Sequence, residues 1–180
     1  MDSAVLLRDF VKMFRMYKTL GEQAMAQIPS DAAFGAMLDP DSNSVAIIVQ
    51  HIAGNLRSRY RDFLTTDGEK PDRDRDSEFQ VHAPVTRIGV LKMWDKGWDV
   101  ALATLDALTP DDLDKTITIR GEAFLVVEAL NRSITHTAYH VGQIVYLARH
   151  LAAPNWTSLS IPKGKSADFS KGTFKGYLKT

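Results

Sequence analysis

Cysteine is absent from the 180 residues of this sequence. Disulfide bonds, thiolate ligands for a metal and a cysteine nucleophile are therefore excluded. The sequence also lacks an excess of either charge, because 22 lysine and arginine residues balance 22 aspartate and glutamate residues. Global electrostatics therefore gives no reason to expect nucleic acid or an anionic membrane as a partner.

Long apolar runs and a recognisable leader are missing as well. No run reaches the length of a membrane-spanning helix, and the first residues, MDSAVLLRDFVKMF, carry too many charges for a signal peptide. We therefore expect a cytoplasmic protein without a membrane partner. The length and the composition, 44% hydrophobic and 24% charged, fit one globular domain over residues 1–180 with a sizeable core.

Helical periodicity is the main pattern that the sequence does contain. Four segments repeat apolar residues every three or four positions and predict amphipathic helices at residues 3–27, 44–64, 85–108 and 123–151. Trp94 and Trp98 are expected to pack in the core or at its edge. Thr116–Ile119 alternates polar and apolar residues, which predicts a short strand or an extended turn. From about residue 161 the chain is a basic, irregular tail.

Four helices of this length predict an all-α four-helix bundle. The segment between the second and third helices has about 20 residues, which is long for a bundle connection. A crossover of that length can traverse the bundle, so we favour the up-down-down-up order over up-down-up-down. Residues 67–79 make this crossover rich in charges of both signs, and residues 73–76 are expected to pair locally and to hold the crossover in place.

Two histidines in the segment HTAYH raise the question of a metal site. His136 and His140 are at positions i and i+4, so both lie on one face of the predicted fourth helix, along its apolar stripe. Buried imidazoles need partners for their ring nitrogens, and a divalent metal between them accepts both lone pairs. A core pair that is hydrogen-bonded to carbonyl groups or water is the alternative.

A third ligand is available on the second predicted helix, where His51 lies within a broad apolar arc. The remaining histidines are poorer candidates. His82 falls in the long crossover, and His150 is about 80° around the helix from His140. His51, His136 and His140 are therefore the predicted ligands of a divalent metal.

Three neutral histidines leave a divalent metal with its double positive charge and an open position, which is typical of a catalytic site. Such a metal lowers the pKa of a bound water, thiol or alcohol. Imidazole suits zinc, nickel, copper and iron alike; we expect zinc or nickel, with iron as a further option. The HExxH motif, the Glu-x-x-His motif of di-iron bundles and a complete P-loop are all absent.

Polar residues near the histidines are candidates to orient them or to contact a substrate. Asn55 and Gln143 lie within about one helical turn of a histidine, although they also fit positions that simply border solvent. Tyr139 and Tyr60 could offer a hydroxyl group to the site, but core packing is the favoured role for each.

The motifs around the histidines resemble a known family. HIAGN (51–55) and HTAYHVGQI (136–144), with the predicted helix order, are similar to the DinB-like superfamily, also called DinB/YfiT-like. The stretches GNLRSRYRDFLTTDGEK, RDRDSEF and WTSLSIPKGKS resemble its DUF1572 subfamily more closely. The resemblance implies a four-helix up-down-down-up bundle, a homodimer, and a divalent metal held by His51, His136 and His140.

Some members of this superfamily are transferases that activate a low-molecular-weight thiol, such as mycothiol or bacillithiol. The resemblance therefore implies a metal-dependent transferase that activates a small thiol for attack on an electrophilic small molecule. The absence of an obvious carboxylate base near the histidines fits this chemistry, because a thiol can ionise on a metal without one. The alternatives are a non-catalytic dimeric metal-binding or stress-response module and a metal-dependent hydrolase.

Overall fold

The structure, a computed structural model, describes residues 2–81 and 84–167. Those residues are mostly helical, with one small antiparallel sheet. The helices are α1 Ser3–Ala26, α2 Asp31–Phe34, α3 Val45–Tyr60, α4 Arg87–Ala107 and α5 Val126–Ala152, and the strands are β1 Thr116–Ile119 and β2 Glu122–Leu125. Short 3₁₀ turns occupy Ser77–Phe79 and Pro110–Asp112. His82 and the part of the predicted basic tail beyond residue 167 lie outside the described residues.

Side chains that cap the helix N-termini explain where three of the four long helices begin. Asp2, Ser44 and Thr86 each accept a hydrogen bond from a backbone N–H in the first turn of α1, α3 and α4. Such a bond satisfies a donor that has no partner within the helix and stabilises the helix by about 1 kcal/mol. The third helix was predicted from residue 85, and the Thr86 cap places its start at Arg87.

The four long helices surround a core in which α1 contacts α4 and α5, and α3 contacts the same two helices. Trp94 and Trp98 of α4 are fully buried, which confirms their predicted core packing. Phe14 of α1 packs edge-on against Trp98, with ring centroids 6.3 Å apart. Helices α3 and α4 approach closely at Gly97, where an added Cβ atom would lie 2.6 Å from the Cα atom of Ala53.

Two predicted helix ends are wrong by several residues. The second helix ends at Tyr60 and not at residue 64, because Asp62 has a left-handed backbone (φ 49°) that breaks the helix. The fourth helix begins at Val126 and not at residue 123, because the preceding residues pair with β1 as a second strand. Arg120 (φ 57°) and Gly121 (φ 77°) form the two-residue turn of this hairpin, and positive φ at both positions is typical of a type I′ turn.

The crossover between α3 and α4, residues 61–86, lies against α3 and carries the Ser77–Phe79 turn. The side-chain amide of Gln50 on α3 donates to the carbonyl oxygens of Ser77 and Gln80 at 2.9 and 3.0 Å. The crossover is therefore fixed beside the middle of α3, next to His51. None of the helices in the described ranges combines the length and the apolarity that a membrane crossing requires.

Candidate metal centre

The three histidines predicted as metal ligands come together between α3 and α5. His51 and His140 are buried and His136 is half-buried. One ligand nitrogen from each of the three lies within 4.8 Å of the other two. His150, in the last turn of α5, is exposed and stays apart from this group, as its position around the helix predicts.

Hydrogen bonding fixes which nitrogen of His51 is free. Its Nδ1 atom lies 2.8 Å from Glu78 Oε2, and a carboxylate only accepts, so Nδ1 donates. The Nε2 atom therefore carries the lone pair, and it lies 3.2 Å from Nε2 of His136. The Phe79 ring covers His51, with centroids 4.8 Å apart.

His140 shows the same arrangement on the other helix. Its Nδ1 atom lies 2.8 Å from Oε1 of Gln143, so Nδ1 donates and Nε2 carries the lone pair. That Nε2 atom is buried without a hydrogen-bond partner among the described residues. A buried lone pair beside two other imidazole nitrogens fits a divalent cation, which the three histidines would hold together.

The histidines of α5 are held in the neutral form that a metal requires. Burial lowers the pKa of His136 to about 3, with smaller contributions from the neighbouring His140 and His51 and from Arg73 and Arg59. Burial likewise lowers the pKa of His140 to about 4, against the opposing effect of its hydrogen bond to Gln143. Both side chains therefore offer lone pairs at neutral pH.

Glu78 is the residue of the site that the sequence did not predict. It is buried, and its carboxylate receives hydrogen bonds from Nε and Nη2 of Arg73 at 2.8 and 2.9 Å as well as from His51. Burial raises the pKa of Glu78, but the bonds from Arg73 and His51 outweigh burial and lower it overall. The expectation that no carboxylate lies near the histidines is thus wrong, although this one is already engaged by Arg73 and His51.

The sequence contains one weak signal of this contact. Gly54 follows His51 by three residues on α3, and an added Cβ atom there would lie 2.1 Å from Glu78 Oε1. The prediction that residues 73–76 pair locally within the crossover is confirmed. Arg73 pairs with Glu78 and Glu69, and Arg75 lies 3.9 Å from Asp76. The Oδ1 atom of Asp74 accepts a hydrogen bond from the backbone N–H of Ser77.

The predicted accessory residues differ in what they contact. Gln143 accepts from His140, whereas Asn55 lines the cavity beside the histidines and its side chain makes no hydrogen bond within the described ranges. Tyr139 is 54% exposed, which makes its predicted core packing wrong, and its ring lies against His140 with centroids 4.0 Å apart. Tyr60 is buried in the core, as favoured, and its hydroxyl group donates to Ser133.

A cavity of about 440 Å³ opens onto the three histidines. Its walls come from α3, the crossover, the hairpin and α5. Besides the histidines and Asn55, Tyr139 and Gln143, they carry five arginines: Arg59, Arg73, Arg75, Arg120 and Arg132. Its volume is that of a small-molecule site, and its walls contain no aspartate or glutamate among the described residues.

Comparison with known proteins places the chain by its sequence. Neither a curated protein nor a solved structure matches it. The family model described as "Protein of unknown function (DUF1572)" matches residues 2–165, which is nearly the whole chain and includes every residue of the site. The chain therefore belongs to the DUF1572 family.

Proposed function

We propose that this DUF1572 protein is a divalent-metal-dependent transferase of the DinB-like superfamily, which activates a small thiol for attack on an electrophilic small molecule. The observation that carries the proposal is the buried Nε2 atom of His140, which has no hydrogen-bond partner among the described residues, in a group where one ring nitrogen of each of His51, His136 and His140 lies within 4.8 Å of the others. The resemblance to the superfamily adds the thiol chemistry and a homodimer.

The helix contacts support the DinB-like bundle. Each long helix touches two others, in the cyclic order α1, α4, α3, α5, which is the neighbour pattern of a four-helix bundle. The crossover of residues 61–86 is long enough to run back along α3, since an extended chain spans about 3.3 Å per residue and a helix only about 1.5 Å. Helices α3 and α4 could then run parallel, as the up-down-down-up order requires.

The side chains of the site have separate tasks in this proposal. His51, His136 and His140 would hold the cation, with zinc or nickel favoured and iron as a further option. When bound, the cation supplies a Lewis acid that lowers the pKa of a coordinated thiol. Glu78 and Gln143 keep the proton of their histidine on Nδ1 and so leave Nε2 free for the cation.

The lack of a carboxylate base among the described residues that line the cavity favours thiol activation over hydrolysis. A general base that takes a proton from the attacking water assists metal-dependent hydrolysis, and no carboxylate lines the cavity in the described ranges. Glu78, the carboxylate nearest the histidines, is bound by Arg73 and His51 and lies behind them. A thiol ionises more easily than water and needs no such base.

Metal analysis followed by an activity panel tests the proposal. Untagged protein supplemented with zinc or nickel should retain about one metal per chain, and His140→Ala should retain less than about 0.1. Metal-loaded protein should then couple a low-molecular-weight thiol to an electrophile from a small panel, and His51→Ala should lose that activity.

Two results would contradict the proposal in different ways. Retention of less than about 0.1 metal ion per chain in the unmodified protein would show that the three histidines do not form a metal centre. Full metal retention, with no thiol-dependent change in a cobalt or nickel absorption spectrum and no turnover, would favour the non-catalytic metal-binding module instead.

A further inference from the structure

The arginines of the histidine cavity are not balanced by acidic residues. Five guanidinium groups line the cavity, whereas only two carboxylates, those of Glu69 and Glu78, lie within hydrogen-bond distance of them in the described ranges. Three positive charges are therefore uncompensated, although the whole chain is neutral. A bound divalent cation would add two more.

Three of the five arginines donate hydrogen bonds to Glu69 or Glu78. Glu69 accepts hydrogen bonds from Arg59 at 2.9 Å, Arg120 at 2.9 Å and Arg73 at 3.3 Å. Glu78 accepts two from Arg73. Arg59 and Arg73 are only 11% and 4% exposed, so they serve the structure of the crossover as well as the charge of the cavity.

Arg132 and Arg75 are the arginines that remain available. Arg132 has no carboxylate partner among the described residues, and its guanidinium lies 5.7 Å from the centre of the Phe124 ring. Among the described residues, the one carboxylate that pairs with Arg75 is that of Asp76, at 3.9 Å, which is 94% exposed and therefore largely screened by water. Both arginines line the same cavity as the histidines.

The neighbouring cavity has a smaller excess of basic residues in its lining. That cavity, of about 410 Å³ on the other side of the crossover, also carries basic residues, but Asp72, Asp74 and Glu78 line it with them. The lining of the histidine cavity contains the uncharged polar side chains Asn43 and Asn55 and, among the described residues, no carboxylate. The histidine cavity is therefore the one suited to an anion.

We infer that the substrate or the thiol bound at this site carries a carboxylate or phosphate group, and that Arg132 and Arg75 bind this oxyanion. This inference rests on the proposed function. Arginine presents a planar fork of donors that matches both groups. Arg132 precedes His136 by four residues on α5, so the anion would bind about one helical turn, or ~5.4 Å, from the histidines. The cavity volume limits the molecule to a small metabolite.

Titration of metal-loaded, desalted protein with inorganic phosphate, succinate and the neutral analogue succinamide tests the inference. Calorimetry at low ionic strength should detect binding of phosphate or succinate to the protein and no binding of succinamide. Arg132→Gln combined with Arg75→Gln should weaken the anion at least about tenfold at unchanged metal content, since a charge-assisted hydrogen bond contributes about that factor. Arg149→Gln, an exposed position on the same helix outside the cavity, is the matched control and should bind as the unmodified protein does.

Equal anion affinity in the double variant and in Arg149→Gln would overturn the inference, because the anion would then be held by the metal or elsewhere. Absence of saturable binding by either anion would overturn it as well. Metal content separates this result from the proposed function. If the anion binds through the arginines but the protein retains no metal, the anion site stands and the metal-dependent transferase is rejected. If the protein retains metal but shows no arginine-dependent anion binding, the anion site is rejected and the transferase proposal stands.

Discussion

At the scale of single residues, the candidate centre depends on side chains that do not face the cation. Two of its histidines direct Nδ1 to an oxygen acceptor, Glu78 for His51 and Gln143 for His140. An imidazole without such an acceptor can place its proton on Nε2 and lose that nitrogen as a ligand. These partners would therefore set the affinity for a metal through the tautomer of each ring.

Gln143→Ala tests the tautomer effect with little structural cost. The variant removes the acceptor of His140, and we expect metal affinity to fall about 10- to 100-fold. Gln143 is exposed, so the free energy of unfolding of the metal-free protein should change by less than about 0.5 kcal/mol. Competition with a chromophoric chelator measures the affinity, and Gln143→Glu, which restores an acceptor, should recover it. Unchanged affinity in Gln143→Ala would rule out this role.

The sequence predicts residues of this site where helical spacing connects them. His136, His140 and Gln143 lie within two turns of one helix, and the apolar stripe of α3 indicates His51. Glu78 was not predicted because it is 27 residues from its partner His51 and lies in a crossover whose path has no periodicity. The pairing of Arg73 with Glu78 was missed for the same reason.

At the scale of elements, the site depends on how closely the crossover approaches α3. Gly54 permits that approach, because any side chain there would meet the Glu78 carboxylate, which Arg73 and His51 hold in place. Helix propensity alone favours alanine at this position by about 1 kcal/mol. Helix propensity therefore predicts that Gly54→Ala stabilises the protein, whereas packing predicts that the same substitution destabilises it.

Gly54→Ala should reveal that packing is the stronger effect. We expect it to destabilise the protein by about 1–3 kcal/mol, through overpacking, and to weaken metal binding. Gly142→Ala on α5 is the matched control, since nothing lies within 4 Å of its added Cβ atom, and it should stabilise by up to about 1 kcal/mol. Urea unfolding measures both variants, and stabilisation by Gly54→Ala would contradict the proposed contact.

The hairpin is attached to the crossover by Asp67. Its Oδ1 atom accepts from the backbone N–H groups of Glu69 and Arg120, and Oδ2 accepts from that of Gly121. These bonds, of which those from Glu69 and Gly121 contribute most, lower the pKa of Asp67 to about 2. Asp67 thereby fixes the turn that brings Arg120 to the cavity.

Asp67→Asn should lower the melting temperature by about 2–4 °C at neutral pH, because the amide can accept at only one of its two ends. A carboxylate whose pKa is lowered by folding stabilises the native state above its unfolded pKa, near 4, and this contribution disappears as the pH falls towards 2. The difference between the variant and the unmodified protein should therefore shrink from about pH 4 to pH 2. A constant difference over that range in thermal melts would contradict the ionic role of Asp67.

The sequence predicts the elements better than their ends. Apolar periodicity and Pro29, Pro110 and Pro154 indicate four long helices, and alternation predicts β1. The second strand was assigned to the helix that follows it, because Glu122–Leu125 lacks a clear alternation and only pairing with Thr116–Ile119 makes it a strand. The turn at Asp62 depends on a left-handed conformation that an aspartate adopts only in context.

At the scale of the whole molecule, the net charge of zero does not reveal the positive charge of the histidine cavity. The chain carries equal numbers of acidic and basic residues, yet folding gathers arginines from four separate segments around one cavity. Composition alone therefore gives no reason to expect an anionic macromolecule as partner, and it does not reveal a site for a small anion. Only the fold brings Arg59, Arg75, Arg120 and Arg132 to the same place.

The metal would also join parts of the chain that are distant in sequence. His51 on α3 and the pair on α5 are separated by 85 residues, and α3 and α5 have a smaller contact than α3 has with α4. A ligand that binds only the folded chain stabilises it according to its concentration, by about 2.7 kcal/mol at 100 times Kd. Saturating zinc should therefore raise the melting temperature of the metal-free protein by about 5–10 °C for a chain of this size. His136→Ala should abolish most of this increase, whereas His150→Ala, an exposed histidine on the same helix, should keep it. An equal increase in both variants would mean that zinc stabilises the protein from a site other than the three histidines.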